Sequence, residues 1–214
     1  MSEPTERTTV RRLPEKAVTD RSVLDAILDE ALVAHVAVTE GDQPFVLPMG
    51  CARDGDLLLL HGSTGSRLMR TLASGAPTCA TVTLLDGLVY ARSAFESSMH
   101  YRSATILGRA SVVPAEELVE ALRVLTEHIL PGRWEHLRPP LRKELAATMV
   151  LALPLQEWSV KVGDGPPADD PADLGADVWA GVLPLRTTAG QPIPAPDLAA
   201  GIEVPDHVRG RYPS

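Results

Sequence analysis

The feature that most constrains this chain is a change of period at Ala31. Before it, apolar residues recur at helical spacing; after it, for about eighty residues, they alternate or form unbroken β-rich runs. Six stretches fit strands, at 32–39, 44–52, 56–61, 78–85, 87–93 and 102–113. Glu40-Gly41-Asp42-Gln43, Arg53-Asp54-Gly55-Asp56 and Asp86-Gly87 stand between them as sequences that close tight turns between antiparallel neighbours. Strands that return this quickly pair with each other, so the first three form a meander. The whole is expected to be mainly β, a sheet or barrel with flanking helices.

The helices are marked by their own signals. Asp20 caps a short amphipathic helix over Arg21–Glu30, in which Val23, Leu24, Ile27, Leu28 and Ala31 share one face. Gly65 to Gly75 interrupts the β pattern with Leu68, Met69 and Leu72 on one side and a terminal glycine, as a helix crossing between two sets of strands would. Pro114 to Leu130 is expected as a third helix, with Leu118, Leu122, Leu125 and Ile129 on one face and Glu116 and Glu117 near its positive end. A shorter helix over 140–148 and a β-rich run over 149–162 follow.

Three parts result. Residues 1–18 carry charges without periodicity and form an N-terminal arm; 19–162 hold the core domain; 163–214 hold nine of the 19 prolines. The extension starts as a linker, with five Asp and no Lys or Arg in 163–177. Trp179-Ala180-Gly181-Val182-Leu183-Pro184-Leu185 is too apolar to float and should pack on the core or on a second subunit.

Charge excludes some partners. With 28 Asp and Glu against 20 Lys and Arg, net −8, the chain lacks the dense basic surface that nucleic acid or an anionic membrane requires. No apolar run approaches the roughly 18 residues of a bilayer span, and the N-terminus lacks a signal-peptide core, so a soluble cytoplasmic protein is expected. Cys51 and Cys79 lie in strand-like stretches as free buried thiols, and the six histidines show no metal-binding spacing. There is no Gly-x-Ser-x-Gly elbow, no P-loop and no GxGxxG.

Three clusters carry site-type residues. His61-Gly62-Ser63-Thr64-Gly65-Ser66-Arg67 joins a strand to the crossing helix; its hydroxyls, its glycines and the permanently charged Arg67 suit a phosphate, although a capped helix with a solvated arginine explains them equally well. Ser97-Ser98-Met99-His100-Tyr101-Arg102-Ser103 enters the longest strand and suits an anionic or aromatic ligand, with a polar loop before a half-buried strand as the plainer explanation. Phe45 to Cys51 contains Pro48, which removes a ladder donor, and Gly50, which removes a side chain, so a flat ring can lie on that backbone; an edge strand accounts for the proline as well.

In order and spacing these residues resemble the flavin-nucleotide-binding, nitroimidazole-resistance-like branch of the pyridoxamine 5′-phosphate oxidase-like superfamily. The landmarks are the leading helix, Ala34-His35-Val36-Ala37-Val38, the Pro48 strand, His-Gly-x-x-x-x-Arg at 61–67, and Tyr101-Arg102-Ser103 followed by Gly108-Arg109-Ala110. The resemblance spans about Arg11 to Val162, and 179–185 is similar to the branch's C-terminal extension.

It implies a six-stranded antiparallel split β-barrel, a homodimer, and FMN bound in a groove between subunits. Carried over by position, His61, Ser63, Thr64, Ser66 and Arg67 hold the phosphate, the backbone of Pro48, Met49, Gly50 and Cys51 lines the ring, and Ser98, Tyr101, Arg102 and Ser103 complete the pocket. Many relatives have Lys at the place of Arg67. The Arg-rich C-terminal signature of vitamin B6 oxidation is missing from the Val208-to-Ser214 end.

The activity implied is an FMN-dependent oxidoreductase passing hydride from a reduced nicotinamide to a small acceptor, a nitro-compound or quinone, with no catalytic acid–base pair of its own. The alternatives are a non-catalytic protein that stores or senses flavin or haem, with His61 and His100 as candidate iron ligands, and a deazaflavin-dependent reductase.

Overall fold

Two hairpins with two-residue loops set the frame of the sheet, and both loops use a glycine in the left-handed region, Gly41 at φ 63° and Gly55 at φ 55°. The computed structural model describes residues 5–211. Residues 1–4 of the expected arm and the end of the Val208-to-Ser214 stretch lie outside them.

In chain order the elements are β1 (Ala17–Val18), α1 (Arg21–Glu30), β2 (Val33–Glu40), β3 (Gln43–Asp54), β4 (Leu57–Ser63), α2 (Arg67–Ala73), β5 (Pro77–Tyr90), β6 (Ser98–Arg109), β7 (Ser111–Val112), α3 (Leu118–Ile129), α4 (Arg142–Ala147), β8 (Thr148–Pro154), β9 (Glu157–Gly163), β10 (Gly181–Pro184) and α5 (Asp206–Arg209).

All strand pairs are antiparallel, in the order β1-β9-β6-β5-β2-β3-β4-β8-β7, with β10 added to β5. The sheet curls without closing, and the expected mainly β architecture with flanking helices is what the chain adopts. The strand count differs from six. Asp86-Gly87 is a bulge inside one long β5, because the register with β6 shifts between Leu85 and Gly87 without breaking the ladder. The run over 149–162 is two strands joined by a turn that contains no glycine or asparagine, and the two-residue strands β1 and β7 are too short to leave a period in the sequence.

One core fills the inside of the curl. Leu24, Ile27 and Leu28 of α1 and Leu68, Met69 and Leu72 of α2 pack on Val36, Leu58, Leu60, Ile106, Leu151 and Leu153. A second core on the far side of β4 joins Ala52, Leu59 and Val150 to Ala121 and Leu125 of α3. The unbroken Leu57-Leu58-Leu59-Leu60 run follows from this, since β4 is covered on both faces. Asp20 caps α1 by accepting from the Ser22 N–H. α3 starts at Leu118, later than the sequence suggests, because no side chain caps it and Pro114–Glu117 forms a separate turn.

Both the arm and the extension dock on the sheet. In the arm, Thr5 and Arg7 bind Glu157, and β1 pairs with β9. In the extension, β10 pairs with β5 at 87–90, on the edge where β2 reaches only 79–81, and the Asp86 carbonyl accepts the Leu185 N–H at 2.9 Å. Trp179 lies 5.7 Å from the Tyr90 ring. Residues 181–184 thus extend the sheet at the β5 edge.

Candidate functional site

β3 changes partner in mid-strand. Residues 43–50 pair with β2 and residues 51–54 with β4, so the other edge of 43–50 is unpaired among the described residues. Pro48 stands on that open edge, where a missing N–H costs nothing. Gly50 sits at the switch. A Cβ placed there would meet His61 Cε1 and Ile129 Cδ1, each at 3.4 Å, so the missing side chain lets an imidazole on β4 and the last residue of α3 close on the β3 backbone.

The neighbouring side chains divide between the two faces of β3. Met49 packs on the main core and Cys51 is fully buried, so both offer only backbone to a ligand. Burial pushes the Cys51 thiol up to about 11, which keeps it protonated and unreactive near neutral pH. His61, Ser63 and Thr64 are exposed at the end of β4 and in the turn after it.

That turn is already hydrogen-bonded internally. The N–H groups of Thr64, Gly65 and Ser66 donate to Ala147 O, Ser63 Oγ and Ser63 O at 3.0, 3.1 and 2.9 Å, and Ser66 Oγ accepts from Met69 N–H. An anion here would be met mainly by side chains. Arg67 supplies charge: its guanidinium lies 4.6 Å from the centroid of Phe45 and 3.3 Å from Glu40, a half-exposed pair that a bound phosphate can displace. Arg70, which the sequence reading passed over, reaches back to Gly65 O at 3.0 Å, so two arginines flank the turn. Its signal was its place one helical turn after Arg67.

Ser98, Tyr101, Arg102 and Ser103 lie on β6, three strands from β3 in the sheet order. Ser98 is exposed; Tyr101 flanks Gly163; Ser103 is paired with Thr83. Arg102 donates to Asp86 at 2.8 and 2.9 Å and to Glu30 at 2.6 and 3.0 Å, tying α1 to the β5 bulge. These bonds, Asp86 first, hold the guanidinium charged and draw the Asp86 carboxyl below its ordinary value. His100 sits opposite Gly87, four strands from His61 in the sheet order.

Ile129 was foreseen only as part of an apolar helix face; that this helix ends against β3 is a tertiary fact. Beside it, His128 Nε2 donates to Ala31 O at 2.7 Å and anchors α3 to the end of α1. Among the described residues no group of three or more His, Cys, Asp or Glu is placed to hold a metal ion, and no helix is long and apolar enough to cross a membrane.

The family model for pyridoxamine 5′-phosphate oxidase matches residues 20–162. A solved FAD and haem binding protein of Mycobacterium smegmatis is 47% identical, with a TM-score of 0.90 over 92% of this chain and 97% of its own. A flavocytochrome of Azotobacter vinelandii is 39% identical, with a TM-score of 0.92 over 99% of each chain. A candidate 5-nitroimidazole antibiotic resistance protein of Bacteroides thetaiotaomicron, 23% identical with a TM-score of 0.59, shares the fold over 68% of this chain and 86% of its own. No curated protein is similar enough in sequence to match.

Proposed function

The chain belongs to the pyridoxamine 5′-phosphate oxidase family of split barrels, and from that premise we propose that it is a flavin-dependent oxidoreductase. The observation that carries this is the open edge of β3 through Pro48 at the Gly50 corner, next to a turn that bears three hydroxyls and two arginines. The backbone of Pro48–Cys51 fits one face of a flat ring, and Ser63, Thr64, Ser66, Arg67 and Arg70 fit its phosphate end. When bound, a flavin supplies hydride exchange with a reduced nicotinamide and with a small acceptor such as a nitro-compound or quinone. The protein's part is to orient the ring, hold the phosphate and exclude water; no acid–base pair is needed at this corner.

The second half of the pocket comes from a second protomer. Val33, Val46, Leu47, Leu85 and Trp179 are large apolar side chains between 46% and 67% exposed, surface that a second protomer would cover. A homodimer that buries them also brings Ser98, Tyr101 and Ser103 of one protomer toward the Gly50 corner of its partner. The phosphate-end residues serve FMN and FAD alike. The 47% identical relative is described as binding FAD, which makes the dinucleotide the expected flavin. Two near full-length relatives are described as haem-binding or as a flavocytochrome, which favours haem as a second cofactor.

Titration of the full chain with FAD, FMN and a deazaflavin, each followed by ligand fluorescence, tests this. Saturable FAD binding that Gly50→Val abolishes, together with NADH or NADPH oxidation in the presence of an acceptor, is the expected result. A loaded protein that never turns over with any acceptor reduces the function to flavin storage or sensing, and the absence of flavin binding overturns the proposal.

A further inference from the structure

The C-terminal extension returns to α3 and leaves an open cavity beside Arg133 and His136, but His207 Nε2 has no exposed surface and Arg209 is already paired with Glu203 and Asp206, so neither grips a ligand there. A smaller hollow lies at the far end of the open β3 edge. Its volume is about 220 Å³; Val38, Phe45 and Leu47 form its apolar wall, and Glu40 and Arg67 its polar one. Pockets for whole drug-sized ligands begin at roughly 300 Å³, so this one suits a single planar group.

A side chain of the protein marks the place such a group would take. The Arg67 guanidinium lies over the Phe45 ring, 4.6 Å from its centroid, and its Nε is 3.3 Å from one Glu40 oxygen. Glu40 is held in position by Thr71, whose hydroxyl donates to the other oxygen at 3.2 Å. Arg67 therefore sets a planar group over an aromatic ring and an N–H beside a carboxylate. An adenine makes the same two contacts, with its face on Phe45 and its exocyclic amine donating to Glu40. The Arg67 side chain is 64% exposed and belongs to the phosphate-binding turn, so a phosphate that draws it away uncovers both Phe45 and the Glu40 oxygen.

We propose that this hollow holds the adenine of a dinucleotide flavin, with Phe45 as the stacking face and Glu40 as the residue that selects the base by its amine. This rests on the flavin part of the functional reading above. The order of the parts along the strand suits it. Phe45 stands three residues beyond Pro48 on β3, roughly 10 Å at ~3.4 Å per residue, on the side of the turn at 63–67. FMN ends at its phosphate and does not reach the hollow, so this is where the two flavins are told apart. A base with a carbonyl in place of the amine sets oxygen against the Glu40 carboxylate and is rejected.

The test is titration of the full chain with FMN, with FAD and with the flavin dinucleotide that carries hypoxanthine in place of adenine, each followed by flavin fluorescence. The wild type binds FAD at least about fivefold more tightly than either of the others. Phe45→Leu keeps an apolar side chain against the core, loses most of that preference and retains FMN affinity. Glu40→Gln offers an amide N–H to the hypoxanthine carbonyl and removes the preference for adenine over hypoxanthine without loss of FMN affinity, a change that damage to the fold cannot produce. A wild type that binds FMN and FAD equally, or a preference for FAD left intact in both variants, overturns the adenine site and leaves the flavin reading standing. A wild type that binds none of the three overturns the flavin reading together with the site.

Discussion

The Gly50 corner and the C-terminal cavity are built by opposite means. The corner belongs to continuous ladders: β2, β3 and β4 fix every backbone position around it, and two cores brace β4 from both sides. The cavity is walled by a proline-rich segment whose few internal backbone bonds include Leu198 N–H to Ala195 O and Ile202 N–H to Ala199 O, the latter at 3.4 Å. That segment is held in place by anchors: the β10 pairing, and Asp169, whose carboxylate accepts from both the backbone N–H and the guanidinium of Arg92. A site on ladders is precise in position whether or not its ligand is bound. A region on anchors depends on those few contacts.

Cutting the two regions apart gives the largest expected effect. A chain ending at Leu185 keeps β10 on β5 and drops the cavity walls; it should retain flavin binding, measured by absorbance after gel filtration. Loss of flavin binding would show that the regions are one unit. Asp169→Ala comes next. Its side chain is 2% exposed, and removal leaves the Arg92 charge half-buried without its partner, at a cost of about 3 kcal/mol. Hydrogen exchange should show protection lost across 163–211 and retained in β2–β4.

Gly50→Val should lower flavin affinity by at least about tenfold, or roughly 1.4 kcal/mol, with an unchanged far-ultraviolet spectrum. Arg67→Ala should cost less, no more than about tenfold, because Arg70 flanks the same turn.

The smallest effect is one of pH. Arg102 draws Asp86 below its ordinary value of 3.8, so the folded state binds that proton less readily than the unfolded chain. The contribution is complete above about pH 4 and is lost as the pH falls through the depressed value. Urea midpoints should therefore fall with acid more steeply in the wild type than in Arg102→Leu.

Much of the ladder-built region is legible in the sequence, because period two and tight-turn glycines are local signals. The β2–β3 and β3–β4 loops, the Asp20 cap, α2 ending at Gly75 and the Pro48–Gly50 interruption all stand where the residues place them. The same locality misled at Asp86-Gly87, a turn sequence that the β6 ladder carries through as a bulge. The cavity could not be read at all. His136 and His207 lie 71 positions apart on short segments without periodicity, and only the return of the extension to α3 makes them neighbours. For the same reason Ile129 was visible as a helix-face residue and invisible as a wall of the Gly50 corner.

The most direct measurement is the visible spectrum of the full chain as purified, without added cofactor, followed by identification of whatever acid releases. The account predicts an oxidised-flavin spectrum with FAD in the supernatant. A colourless protein that takes up neither FAD nor FMN when they are offered would contradict it.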